Sequence, residues 1–348
     1  MTERNVRRPT LEAVAARAGV SRATVSRVVN GGAGVRPAVR ERVARAVAEL
    51  GYVPNSAARS LVTRRTGAVA VVIGEPEQRV FSDPFFGRQL RGIGRELAAA
   101  DVQLLLLLVE SRADWPRIGR YLAAGHVDGA LLFSLHHDDP LPAVAARAGL
   151  PVVYGGRPGW AGAADDPEVR YVDTDNRDGA RQAVRHLRER GRRTIAVITG
   201  PLDQTSAADR LAGYREALAP GAYGPRLVAD GRFTARGGEA AMARLLDAAP
   251  ELDAVFVCSD LMASGALRTL RERGRRVPRD VAVVGYDDLE PAAWTDPPLT
   301  TVRQDVTEMG RLMARMLLRE VAGPADRKDA VPAAVVTPAL LVVRASSG

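Results

Sequence analysis

The chain has 348 residues, and because single hydrophobic cores rarely grow beyond roughly 250 residues, two or three compact units are expected. Hydrophobic residues make up 46% and charged residues 26% of the sequence, a balance that excludes a disordered chain. The net charge of +8 is unevenly divided: residues 1–66 hold 13 Arg and 4 Glu, a net +9, which leaves −1 for the other 282 residues. One small basic segment on a near-neutral body is typical of a chain with a module that meets a polyanion such as DNA.

The single cysteine and the most apolar run indicate the cellular compartment. Cys258 has no partner for an intrachain disulfide, and a cysteine-based zinc site is excluded, which fits a reducing cytoplasm. The start of the chain, MTERNVRRPT, lacks the apolar core of a secretory signal. The run from Val102 to Val109 is too short to span a bilayer and is interpreted as a buried strand. We therefore expect a cytoplasmic protein without a membrane anchor.

An amphipathic stripe near the start of the chain predicts a first helix. Its apolar positions, three or four residues apart, are Leu11, Val14, Ala15 and Ala18. Thr10 is placed to cap this helix, and Gly19 and Val20 then predict a tight turn. Ser21 is placed to cap a second helix, Arg22 to Val29. A helix, a turn with glycine and a second helix together predict a helix-turn-helix.

The two faces of the second predicted helix differ in character. One face carries Arg22, Ala23, Ser26 and Arg27, and the other carries Val25, Val28 and Val29. In a helix-turn-helix this helix enters the major groove, where Arg can form paired hydrogen bonds with guanine. Arg22 and Arg27 are therefore predicted to contact bases or phosphates, and Ala23 to make only apolar contacts.

A third helix is predicted to begin near Pro37. Its apolar stripe, against which the first two helices can pack, consists of Val39, Val43, Ala46, Val47 and Leu50. Arg40, Arg42 and Arg45 lie outside this stripe. They either form a solvated basic face or contact phosphates.

The segments TLEAVAARAGVSRATVSRVVNG and VRERVARAVAELGYVPNSAARSL resemble the headpiece of the lactose-repressor (LacI/GalR) family. The resemblance implies DNA contacts from Thr10, Ser21, Arg22, Ala23, Thr24, Ser26, Arg27, Asn30, Asn55, Ala58 and Leu61. It also implies a hinge helix, Asn55 to Leu61, that pairs across a dimer, with Leu61 wedged into the minor groove. A helix this short is not stable alone in water, and an apolar wedge adds sequence preference through the cost of kinking DNA.

Strand and helix signals alternate from Gly67 onward. The predicted strands are GAVAVVI, VQLLLLLV, DGALLF and PVVYGG, followed by TIAVIT, AVFVC and VAVVGY. The alternation predicts parallel α/β structure, and two doubly wound units in tandem imply a cleft beyond the carboxyl ends of the strands. The predicted fold class is thus an all-α helix-turn-helix headpiece followed by an α/β core of two doubly wound parallel-sheet subdomains.

Residues 67–344 resemble the periplasmic-binding-protein-like core of the same family. The resemblance lies in VDTDNRDGARQAVRHL, RLAGYREAL, SDLMASGALRTL, DVAVVGYDD and PPLTTVRQD. It implies that the chain crosses between subdomains near 172–174, near 303–305 and again near the C-terminus. The expected organisation is a headpiece (1–53), a hinge helix with linker (54–66), an N-subdomain (about 67–172 plus 306–332) and a C-subdomain (about 173–303 plus 333–344).

The same resemblance implies a set of residues that contact a small-molecule effector. These are Phe85, Arg157, Arg210, Phe233, Ser259, Asp260 and Asp287. Arg210 and Asp287, facing each other across the cleft, would suit a sugar, because hydroxyl groups need several directional hydrogen bonds. The alternatives are that these two residues pair structurally and that either phenylalanine belongs to the core.

Signatures of enzymes are missing from the sequence: it contains no nucleophile elbow, no GxxxxGK phosphate loop and no HExxH. His136 and His137 are interpreted as part of a polar loop, since adjacent residues rarely converge on one metal ion.

We therefore predict a regulator that is not an enzyme and needs no cofactor or metal. It would act as a homodimer at the bacterial nucleoid, on pseudo-palindromic operator DNA, and repress genes for carbohydrate uptake or catabolism in response to a sugar or sugar derivative. The alternatives are a purine- or nucleoside-responsive regulator, a regulator without an effector, a solute-binding transport component and a DNA-processing enzyme.

Overall fold

The computed structural model describes residues 9–29, 32–53, 65–160, 162–163, 166–219, 221–323 and 332–348. The chain forms two compact units, divided between Gly67 and Ala68.

The described residues of the first unit form three helices, α1 (Leu11–Ala18), α2 (Arg22–Val29) and α3 (Pro37–Leu50). The predicted cap of α1 is confirmed, because the hydroxyl of Thr10 accepts a hydrogen bond from the backbone N–H of Ala13 at 3.3 Å. The hydroxyl of Ser21 likewise accepts from the N–H of Thr24 at 3.2 Å. The three helices pack around a small core centred on Val14, Val25 and Val43, which are fully buried.

Two of the predicted features of this region cannot be compared with the structure. Asn30 and the predicted hinge helix, with Asn55, Ala58 and Leu61, lie outside the described residues.

The second unit alternates strands and helices over most of its length. Its strands are β1 (Ala68–Ile73), β2 (Gln103–Leu108), β3 (Gly129–Phe133), β4 (Val152–Gly155), β5 (Tyr171–Thr174), β6 (Ile195–Thr199), β7 (Val228–Asp230), β8 (Ala254–Val257), β9 (Ala282–Asp287), β10 (Thr300–Arg303), β11 (Ala334–Thr337) and β12 (Leu340–Val342). Its helices are α4 (Glu77–Ser82), α5 (Pro84–Ala99), α6 (Trp115–Ala123), α7 (Leu141–Arg147), α8 (Asn176–Glu189), α9 (Thr205–Ala217), α10 (Ala235–Ala248), α11 (Asp260–Glu272) and α12 (Val306–Ala322).

The strands of the second unit form two six-stranded sheets. The first has the order β11-β5-β4-β3-β1-β2 and the second the order β12-β10-β9-β8-β6-β7. Every described pairing is parallel except that of β12 with β10. Each sheet has its own apolar core, and the α12 side chains Met309, Met313 and Leu317 belong to the core of the first. The predicted fold class is confirmed.

The sheets correct the expected subdomain limits. Strand β11 pairs in parallel with β5, from Ala334 beside Tyr171 to Thr337 beside Thr174, so both strands belong to the first sheet. The expected limits at 172 and 333 are therefore too early. The chain passes to the second sheet after Thr174 and again after Thr337, and it returns between β10 and α12.

The leucine-rich run from Val102 to Val109 was expected to form a buried strand. It does form a strand, but the expected burial is wrong. Among the described strands, β2 is the last of its sheet and pairs with β1 alone. Its side chains from Leu104 to Leu108 are consequently half-buried. No helix in the described parts of the chain is both long enough and apolar enough to cross a membrane.

Candidate functional site

A cleft opens where the loops after the strands of both sheets meet, and it contains about 970 Å³ of empty space, including the part open to solvent. Loops after β1, β3 and β4 supply its first side, and loops after β6, β7, β8, β9 and β10 supply its second. Six of the seven predicted effector contacts line it, namely Phe85, Arg157, Arg210, Phe233, Ser259 and Asp287.

Arg210 is the central charge of the cleft. Its Nε donates to Asn176 Oδ1 at 2.8 Å and its Nη1 to the carbonyl oxygen of Cys258 at 2.6 Å, while the guanidinium lies 3.7 Å from the ring centre of Tyr286. Only 5% of Arg210 is exposed. These contacts fix the guanidinium rigidly, so a ligand meets it in a prepared position.

Asp287 lies beside Arg210, with Oδ1 3.8 Å from Nη1. Burial raises the pKa of Asp287 to about 7, although the nearby Arg210 acts in the opposite direction. Its carboxylate also accepts a hydrogen bond from the side-chain amide of Gln304. Arg210 and Asp287 were expected to face each other across the cleft, which is wrong: both extend from the second sheet side, from α9 and the end of β9.

Asp260 was predicted to contact an effector, but it does not line the cleft. Its Oδ2 accepts from the backbone N–H of Leu289 at 2.8 Å and its Oδ1 from the hydroxyl of Thr301 at 2.6 Å. It therefore supports the loop after β9 from behind. Ser259 does line the cleft, and its hydroxyl caps α11 by accepting from the N–H of Met262 at 3.2 Å.

Two predicted phenylalanines form part of the wall. Phe233 is buried, and its ring occupies the space where a side chain on Gly200 would lie. The guanidinium of Arg79, from the other sheet side, lies 5.1 Å from the ring centre of Phe233. Phe85 is half-buried in the first turn of α5 and packs edge-on against Phe86. Both rings expose apolar surface to the cavity.

Polar contacts join the two sides of the cleft. The Arg157 guanidinium, after β4, donates to both carboxylate oxygens of Asp209 on α9, at 2.8 and 2.7 Å. Gln204 Nε2 donates to Glu75 Oε1 at 2.8 Å, and His136 Nδ1 lies 2.7 Å from Asp203 Oδ2. Because each contact links loops of different sheets, together they hold the cleft closed.

Several cleft residues were not predicted from the sequence. Asp83 caps α5 and accepts from the N–H of Phe85 at 3.0 Å, and burial raises the pKa of its carboxyl. Gln89, one turn further along α5, is 1% exposed and lines the same wall. His136 and His137, interpreted as a polar loop, also line the cleft. A histidine pair that begins three residues after the end of β3 was the available signal.

The comparisons with known proteins identify the family. Residues 10–55 match the model of bacterial regulatory proteins of the lacI family, and residues 184–347 match the model of the periplasmic binding protein-like domain. The HTH-type transcriptional regulator CelR of Thermobifida fusca is 52% identical over 342 residues, which cover 98% of each chain. The chain belongs to the lacI family. The prediction of a DNA-binding transcription regulator is confirmed.

Two solved structures are similar over nearly the whole chain of this lacI-family regulator. A transcriptional regulator CelR–cellobiose complex is 49% identical with a TM-score of 0.76, and the match covers 97% of this chain and 100% of that one. The lac repressor dimer bound to operator and the anti-inducer ONPF is 30% identical with a TM-score of 0.84, covering 98% and 99%.

The candidate DNA-binding face of this lacI-family chain is on α2. Arg22, Ala23 and Arg27 are exposed on it, whereas Val25 is fully buried. The two predicted faces of the helix are thus present. Arg22 Nε lies 3.0 Å from Glu12 Oε1, and 69% of the arginine side chain is exposed. Thr24 is half-buried, and its hydroxyl is 2.9 Å from that of Ser21.

Proposed function

We propose that this regulator is a repressor of genes for carbohydrate uptake or catabolism. Its affinity for operator DNA changes when cellobiose or a closely similar sugar binds in the cleft. It acts as a homodimer on a pseudo-palindromic operator, at the nucleoid in the bacterial cytoplasm, because a two-fold operator is matched by two-fold protein symmetry. It carries out no chemical step and needs neither a cofactor nor a metal.

The observation that carries this proposal is a cleft with buried polar groups that have no partner among the described residues, in a chain that resembles CelR over 98% of its length. The side-chain oxygen Oε1 of Gln89 and the Nε of Arg79 are buried in the described structure without a hydrogen-bond partner. Buried polar groups in proteins are nearly always paired, so a ligand with both donors and acceptors completes them. A sugar hydroxyl group is both a hydrogen-bond donor and an acceptor.

The aromatic and charged parts of the cleft suit a sugar in different ways. Buried Arg210, with Asp287 beside it, offers donors and acceptors for ring hydroxyls, and the rings of Phe85 and Phe233 offer apolar surface for the C–H faces. A CelR that is 49% identical to this chain has been solved in complex with cellobiose. The purine- or nucleoside-responsive alternative is less favoured, because the CelR structure that resembles this chain over 97% of its length is a complex with cellobiose.

Coupling between sugar and DNA follows from the closed cleft. A ligand that contacts both sheet sides favours the closed arrangement, held here by Arg157 with Asp209 and by Gln204 with Glu75. Allosteric coupling is typically about 1 to 3 kcal/mol and acts equally in both directions. Operator DNA is therefore expected to change the affinity for the sugar by the same factor as the sugar changes the affinity for DNA.

Fluorescence anisotropy tests this function. The operator is first selected from random duplex DNA with the full-length protein, and its affinity is then measured without sugar and with saturating cellobiose. We expect a change of about fivefold or more, with ribose and adenine as controls that have no effect. An operator affinity that is the same with and without cellobiose, lactose and the other disaccharides tested would refute sugar control.

A further inference from the structure

We propose that Trp160 forms an outer subsite for a second pyranose ring, so that the cleft selects a disaccharide over a monosaccharide. This inference rests on the proposed function, because it specifies how the ligand of the same cleft is chosen. Trp160 was not among the residues expected to contact an effector.

The cleft has a buried charged end and a partly exposed aromatic end. Arg210 and Asp287 are 5% and 4% exposed, whereas Trp160, which lines the same cavity, is 37% exposed. The cavity is partly open to solvent, so its outer end is not confined to the space of one pyranose ring. A ring bound by the charged end would leave the Trp160 side of the cavity to a second ring.

The indole presents apolar surface where the rest of the loop is small or polar. Trp160 follows Gly156, Arg157, Pro158 and Gly159 after β4. Its ring centre is 5.2 Å from that of the buried Tyr154, and the two rings are nearly perpendicular, at 74°. The rings thus do not stack face to face, and surface of the indole remains uncovered. Aromatic faces of this kind pack well against the C–H faces of sugar rings.

The loop that carries Trp160 is fixed by contacts from both sides of the cleft. The hydroxyl of Thr205 on α9 donates to the carbonyl oxygen of Arg157 at 2.6 Å. A Cβ on Gly159 would overlap the ring of His137, so this ring packs directly against the loop backbone. The side chain of Arg157 adds its salt bridge to Asp209. The loop backbone that carries Trp160 is therefore anchored to both sides of the cleft.

Calorimetric titration of the full-length protein with cellobiose and with glucose tests the outer subsite. Trp160→Ala should weaken cellobiose binding about tenfold, which corresponds to the loss of one good aromatic contact, and should leave glucose binding within about twofold of wild type. Trp160→Phe should keep most of the cellobiose affinity. Tyr223→Ala is the matched control, since Tyr223 is a partly exposed ring that packs edge-on against buried Tyr214 and does not line the cleft.

Tryptophan fluorescence supplies an independent readout, because the chain has only three tryptophans. Cellobiose should alter the emission of wild type, and Trp160→Phe should abolish this change at cellobiose concentrations that calorimetry shows to be saturating. Unchanged cellobiose affinity in Trp160→Ala, an equal loss for glucose and cellobiose, or an emission change that persists in Trp160→Phe would each overturn the proposal. Each of these results leaves sugar control itself standing, whereas a wild-type protein that binds no sugar refutes the proposed function and the subsite together.

Discussion

The Arg157 guanidinium donates hydrogen bonds to both carboxylate oxygens of Asp209, and this salt bridge joins the loop after β4 to α9 across the cleft. Arg157 was expected to contact an effector through the same charged group. Because its Nη2 already serves both carboxylate oxygens of Asp209, we assign the side chain a role in closing the cleft.

Breaking this salt bridge should weaken sugar binding without removing a contact to the sugar. We expect Arg157→Ala and Asp209→Ala each to lower cellobiose affinity about three- to tenfold in calorimetry. The double variant should bind cellobiose no more weakly than either single variant. Arg177 and Glu216 form the matched control, since their salt bridge joins α8 to α9 within one side of the cleft. A double variant much weaker than Asp209→Ala would show instead that Arg157 contacts the sugar.

The raised pKa of Asp287 predicts a pH-dependent cost to folding. Its pKa is about 7 in the folded protein, whereas an aspartate in an unfolded chain titrates near about 3.9. Below pH 4 both states hold the proton. As pH rises from 4 to 7 the unfolded state loses it first, so the free energy of unfolding falls by about 1.4 kcal/mol per pH unit and then levels off.

Asp287→Asn removes this titration while keeping an acceptor for Gln304. In urea unfolding the variant should match wild type near pH 4 and become progressively more stable than wild type up to pH 7, with a constant difference above. Asp296 is the control, because its side chain is 96% exposed. The stability difference between Asp296→Asn and wild type should not grow between pH 4 and pH 7. A stability difference for Asp287→Asn that is flat with pH would contradict the assignment.

Local patterns in the sequence were enough to predict the helices and strands, and the resemblance to the family supplied part of the cleft. Arg210 and Asp287 come from that resemblance. The stripe through Val14, the caps at Thr10 and Ser21 and the alternating strands depend on neighbouring residues. Such patterns are present in the chain before it folds.

The remaining cleft residues depend on how the two sheets meet. Asp209 is 52 residues from Arg157, and no periodicity connects them. Asp260 follows a strand just as Asp287 does, yet packing turns its carboxylate toward Thr301 and away from the cavity. Trp160 lies in a loop without any repeating pattern. These positions are set by tertiary contacts, which a single sequence does not contain.

The exposed face of α2 predicts different roles for two arginines. Arg22 begins α2, and its replacement by Ala should reduce discrimination between the selected operator and single-base variants by about 1 to 3 kcal/mol at one position of each half-site. Arg45→Ala, at an exposed position on α3, is the comparison and should lower affinity for all sequences alike. Anisotropy titrations at several salt concentrations measure both effects. Arg22→Ala with unaltered base preference would exclude a base contact.

At the crossing of α5 and α12, replacing either of two nearby glycines by Ala should change the stability of the protein by very different amounts. A Cβ on Gly92 would overlap the carbonyl oxygen of Thr307, because the two helix backbones touch there, whereas a Cβ on Gly94 would meet no atom within 4 Å. Gly92→Ala should therefore force the helices apart and lower the free energy of unfolding by about 1 to 3 kcal/mol. Gly94→Ala should be neutral or stabilise by up to about 1 kcal/mol through helix propensity.

Urea unfolding of both variants measures this difference, and cellobiose titration extends it to the cleft. Gln89, which lies on α5 one turn before Gly92, lines the cleft, and so does Met309 on α12. If the helices move apart, both walls move, so Gly92→Ala should weaken cellobiose binding as well as stability while Gly94→Ala leaves both intact. Equal stability of the two variants would show that the crossing is looser than the glycine contacts indicate.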